Sequence, residues 1–183
     1  MSELKRSNSR KIHTRTIEMS TYETDKGDII VEGILKDNRL IANYRPSGEK
    51  RPPHTVHHMI IRMRIDASSF SIEDIEAEMP EIPNVECPQT SESLLKIKGM
   101  KIAPGFTEKV KKRLGGINGC SHLTALVHAM APAAVQGIWV YNSRKPESAG
   151  ISVDMLDDYL IDTCWVWRKD GPLAKRFMRE AKR

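Results

Sequence analysis

One stretch constrains this chain more than any other: VHHMIIRMRID, residues 56–66. Apolar side chains recur at every second position through Met59, Ile61, Met63 and Ile65, with His57 in the same phase. Arg62 and Arg64 fall in the opposite phase. An alternation of period two places one set on each face of a β-strand. The chain must therefore supply a second layer to cover the apolar face, and it must explain a histidine at that layer's edge.

The segments around it give the partners. RTIEMSTY within His13–Tyr22 reads as a strand. Asp25-Lys-Gly27 supplies a turn, and Ile29 to Leu35 returns as the second arm of a hairpin. Arg45 to Pro53 is turn-rich and reads as a loop. A further strand is expected from about Phe70 to Met79, its apolar phase switching near Asp74. From Pro88 onward the period becomes helical. PQTSESLLKI makes a short helix, and GFTEKVKKRLGG makes one that stops at Gly115-Gly116. SHLTALVHAMAPAAVQ makes a longer helix that Pro132 is expected to kink or divide. On it, Leu123, Val127, Met130 and Ala134 form the inward stripe, and His128 is expected to face solvent. VDMLDDYLIDTCWVW, with Val153, Leu156, Leu160 and Cys164 at helical spacing, and PLAKRFMREAKR complete the series. Strands first and helices afterwards predict an α+β fold, an antiparallel sheet with helices packed on one face.

Length and composition set bounds on this reading. The 183 residues are 39% hydrophobic and 29% charged, which suits one domain with a real core. Residues 1–11 are expected to be a disordered basic tail and 12–183 a single α+β domain. No apolar run reaches the roughly 18–20 residues that span a bilayer, and MSELKRSNSRK lacks a signal sequence's apolar region. The expected location is the cytoplasm, with no membrane partner. The net charge of +5 resides largely in the two tails, Lys5 to Arg15 and Lys175 to Arg183. Without a nucleic-acid-binding signature, solvated tails are the plain reading, and a nucleic-acid partner is not expected. Nothing in the sequence sets an oligomeric state.

The chemistry is expected at Cys87, Cys120 and His57. Cys87 precedes Pro88, which is favoured in the first turn of a helix, and Cys120 opens a helix after the glycine-rich GGING. Helix starts favour the thiolate, the form that binds metals or attacks electrophiles. Cys164 is read either as a small buried hydrophobe or as a further ligand. The candidate metal ligands are thus His57, Cys87, Cys120 and Cys164. The fourth position is open to Cys164, His122, His58 or water. No CxxC pair or HExxH helix strengthens the spacing.

These residues carry two resemblances. The strand VHHMIIRMRID, then SIEDIEAEMP, Cys87, LLKIKGMKIAPGF, RLGGINGCSHLTAL and DTCWVWRKDGPL resemble a bacterial family known only as a domain of unknown function. They span about residues 25 to 175, with the Gly-Cys-Ser-His-Leu block the most specific piece. That resemblance implies small-molecule catabolism, of aromatic, steroid or acyl-CoA compounds. The order of elements is also similar to the U-type iron–sulfur cluster scaffold. There, His57-His58 stands where that family has a Cys-Gly-Asp turn, Asp74 to Ala77 where it has Asp-Ala, and Cys120-Ser-His-Leu where it has its late cysteine. The scaffold likeness implies that His57 or His58, Cys87 and Cys120 converge at one end of the sheet. One histidine with two cysteines suits zinc better than a cluster, so zinc is the expected cofactor, with iron or an iron–sulfur cluster the alternative. The expected function is a metal-dependent enzyme, a lyase or hydrolase, acting on a small-molecule substrate. The alternatives are a cluster or sulfur-transfer scaffold and a structural zinc module that binds a protein partner.

Overall fold

A computed structural model describes residues 9–144 and 157–180. Four strands form one antiparallel sheet in the order β1-β2-β5-β6: β1 is His13–Glu23, β2 Ile29–Arg39, β5 His54–Ile65 and β6 Ile72–Glu81. The stretch expected to be a loop, residues 45–53, is mostly turn, and only its Lys50–Arg51 (β4) is strand, pairing with Asn43–Tyr44 (β3) just before it in a small hairpin. A 3-10 helix follows at Cys87–Ile97, then α1 (Phe106–Leu114), α2 (Ser121–Ser143) and α3 (Pro172–Glu180). The fold is α+β, as the sequence predicts.

One face of the sheet is apolar and is covered. Met59, Ile61, Met63 and Ile65 of β5 and Ile29, Val31 and Leu35 of β2 are all buried. They meet Leu123, Leu126, Val127, Met130, Ala134 and Ile138 of α2, and Val110 and Leu114 of α1. The opposite phase of β5 faces outward, where Arg62 binds Glu32 at 2.7 Å and Arg64 reaches Asp28 at 3.2 Å.

Two glycines let α2 lie close on the sheet. A Cβ on Gly33 would sit 2.9 Å from the Met130 sulfur, and one on Gly137 would sit 2.3 Å from Thr21 Cγ2 of β1. Met130 over Gly33 also fixes what the start of α2 reaches. Eight residues of helix back from Met130 cover about 12 Å, and four residues of strand beyond Gly33 cover about 13.6 Å. His122 is thereby delivered to Asp37.

Three irregularities shift the register, one of them against β6 between His58, which pairs with Glu81, and Ile60, which pairs with Glu78. Asp37 pairs with His57 but Asn38 with Thr55, so Val56 is an extra residue. On β6, Arg64 pairs with Asp74 and Ile65 with Ile72, which leaves Glu73 extra. That is the phase switch expected near Asp74.

Three expectations are corrected. α2 is not divided at Pro132 but continues as one helix through it, with that residue on its exposed side. His128 is half-buried rather than solvated, and its Nε2 is buried without a partner. The helix expected over 153–167 begins outside the described residues, with Val153 and Leu156; its described part is helical only over 157–159. Asp162 then takes a left-handed φ of 60°, its N–H donating to the Trp167 carbonyl and its Oδ1 accepting from the Lys169 N–H, which closes a loop. Residues 1–8 of the expected tail also lie outside the described residues, and 9–11 are exposed.

By length and composition α2 could cross a bilayer, with a mean hydropathy of 1.4 over 18 of its 23 residues. The sequence reading expected no such run. The stripe that packs on the sheet accounts for part of that apolarity.

Candidate functional site

Asp37 continues the inward phase of β2 beyond Ile29, Val31, Gly33 and Leu35, so its carboxylate enters the covered face at the end of the sheet. The residue is 3% exposed. A buried carboxylate needs partners, and β1 supplies the first. Arg15 stands opposite Asp37 in register and donates from Nε to Oδ1 at 2.7 Å and from Nη2 to Oδ2 at 2.6 Å. His13 Nε2 lies 3.4 Å from Oδ1. The Arg15 hydrogen bonds outweigh the opposing effect of burial and hold the Asp37 carboxyl at about 2.

His57, in register with Asp37 on β5, places Nδ1 3.0 Å from Asp37 Oδ2. Because Val56 is the extra residue, the bulge re-aims only what precedes it, and His57 keeps phase with Met59 to Ile65. His58 points to the other face, between Lys36 and Glu81; burial first and then Lys36 lower its pKa.

The third member comes from the start of α2. Gly119 lets the chain enter: a Cβ there would lie 2.8 Å from the Leu114 carbonyl and 2.7 Å from Ser93 Oγ. Cys120 caps the helix, its carbonyl accepting from the Thr124 N–H and hydroxyl. His122 then places Nε2 3.5 Å from Asp37 Oδ2, its ring 3.9 Å from that of His57 between centroids. On its other side, His122 Nδ1 is 3.8 Å from Cys120 Sγ. Burial, then His57 and Arg15, lower the His122 pKa against the opposing pull of Asp37, which favours the neutral imidazole.

One donor atom each from Asp37, His57 and His122 lie within 4.8 Å of one another. Among the described residues no such group includes a cysteine. Of the four ligands expected from sequence, His57 belongs to the group and Cys120 adjoins it through His122. Cys87 begins the 3-10 helix, its N–H bonded to the Asn84 carbonyl, and stands outside the group. Cys164 is exposed and lines a separate cleft with Phe106, Pro132 and Trp167. Asp37 and Arg15 were not singled out from the sequence. The signal for Asp37 was present in the period-two phase of β2, which KDNR hides by looking like a strand end.

Fold and site together define an α+β domain carrying a carboxylate and two imidazoles at one end of its sheet. The chain belongs to the family described as protein of unknown function (DUF2889), which matches residues 13–136. That span holds Arg15, Asp37, His57, Cys87, Cys120 and His122, and excludes Cys164. Comparison with curated proteins and with solved structures found no match.

Proposed function

We propose that this chain is a metal-binding protein, its zinc or iron held by Asp37, His57 and His122, and that it is an enzyme acting on a small molecule. The observation that carries the reading is the convergence of three nitrogen and oxygen donors within 4.8 Å. Two edges of that triangle, 3.0 and 3.5 Å, bracket the roughly 3.4 Å expected between tetrahedral ligands about 2.1 Å from an ion.

The donor set fits such an ion. Two imidazoles with one carboxylate leave coordination positions open, in zinc hydrolases and in non-haem iron sites alike. Arg15 occupies one lone pair on each Asp37 oxygen; the second on Oδ2 faces His57 Nδ1 at 3.0 Å, and an ion between the two would take the place of the proton there. With its proton on Nδ1, facing Cys120 Sγ, His122 presents the Nε2 lone pair towards Asp37. Cys120 is then the acceptor that fixes this tautomer rather than a ligand. A bound ion would supply Lewis-acid activation of a carbonyl or of water.

The scaffold-like order of elements supports donors gathered at one sheet end. Nitrogen and oxygen donors favour a mononuclear ion over a cluster, which takes mostly thiolates. A shell of three donors among the described residues, short of the four of a closed structural zinc module, favours an enzyme. Purified protein should carry about one zinc or iron per chain, removable by chelator and retained in Cys87→Ser and Cys164→Ser variants. Elemental analysis checks this, and wild-type protein that neither carries nor takes up either metal refutes it.

A further inference from the structure

Beside this centre, at the same end of the sheet, lies a cavity of about 680 Å³ between the β3–β4 hairpin and residues 83–86. Its wall includes Arg39, Asn43, Tyr44, Arg51 and Glu86. Arg39 follows Asp37 by two on β2, so the two side chains leave the same face about 6.8 Å apart along the strand. Arg39 is also the register partner of His13, whose ring touches Asp37.

Arg39 and Arg51 are both half-buried, and among the described residues neither guanidinium has a hydrogen bond or an ion pair. Partly desolvated arginine is ordinarily matched by a carboxylate or phosphate, whose two oxygens fit its planar fork. Arg45, also on the wall, is already bound to Glu49 at 3.0 Å. Glu86 supplies one negative charge, so the two free guanidinium groups leave an excess of one positive charge. Asn43 adds a buried side-chain oxygen without a partner; turned over, the same amide would donate to an anion. The exposed ring of Tyr44 offers a flat apolar wall.

We propose that this cavity binds the anionic group, carboxylate or phosphate, of a small organic molecule, with Arg39 and Arg51 as the recognising residues. No donor is shared with the metal centre, so the anion site stands or falls separately from the metal reading.

The test is an NMR titration of the purified full-length protein with benzoate, its neutral isostere benzamide, and inorganic phosphate. Benzoate should shift the Tyr44 and Arg51 amide signals saturably, and benzamide should bind at least tenfold more weakly. An Arg39→Gln/Arg51→Gln double variant with an unchanged fold should lose at least tenfold in benzoate affinity. Phosphate that displaces benzoate supports a site for either anion; benzoate binding indifferent to phosphate supports a carboxylate site. Equal response to benzoate and benzamide, undiminished binding in the double variant, or no response to either anion would overturn the proposal.

Discussion

Replacing Asp37 with asparagine should cost the metal-free protein about 2 kcal/mol of folding free energy at pH 7, and that cost should vanish in acid. Hydrogen bonds from Arg15, opposed by burial, hold the carboxyl at about 2 in the folded chain, against roughly 3.9 when unfolded. The folded state thus favours the ionised form. Its stabilisation is complete above about pH 4 and is lost as pH falls towards 2. The shift corresponds to roughly 2.5 kcal/mol, and the 43% exposure of the Arg15 side chain lowers that through solvent screening. Urea unfolding with chelator present, at pH 7, 4 and 2.5, measures the difference between wild type and Asp37→Asn. A difference that is absent at pH 7, or constant across the window, would show that the carboxylate network stabilises nothing.

The second large effect separates two adjacent histidines. His57→Ala removes a proposed ligand and should weaken zinc binding at least about 100-fold, beyond the 10- to 100-fold typical of losing an outer-shell partner. His58→Ala should stay within about threefold, because successive side chains on a strand point to opposite faces and His58 sits by Lys36 and Glu81. Zinc calorimetry on chelator-stripped protein reads both. Equal losses, or a loss in the His58 variant alone, would place the ion on the wrong face of the sheet for this account.

Much of this was legible in the sequence where a period speaks. The stripe from His57 to Ile65 marked the buried face of β5, and the phase change near Asp74 marked the bulge at Glu73. Gly115 ended α1, and the stripe from Leu123 to Ala134 marked the face of α2 that packs on the sheet. The candidate site was legible only in part. His57 followed from strand phase, but Asp37 was hidden because a carboxylate in an apolar phase resembles the end of a strand. Arg15 could be found only from register, which pairs it with Asp37 across the hairpin. Helix-start chemistry drew attention to Cys87 and Cys120, yet a helix start says nothing about how far apart two such starts lie. In the fold it is His122, two residues beyond Cys120, that reaches the carboxylate. The loop at 162–169 was missed because helical spacing persists there while Asp162 turns the backbone left-handed.

The central claim is that nitrogen and oxygen donors, rather than thiolates, hold one ion at the end of the sheet. X-ray absorption at the zinc edge of zinc-loaded protein tests it most directly. The account predicts nitrogen and oxygen neighbours at about 2.0–2.2 Å with the outer-shell scattering of two imidazoles, lost in His122→Ala. Sulfur neighbours at about 2.3 Å would contradict it.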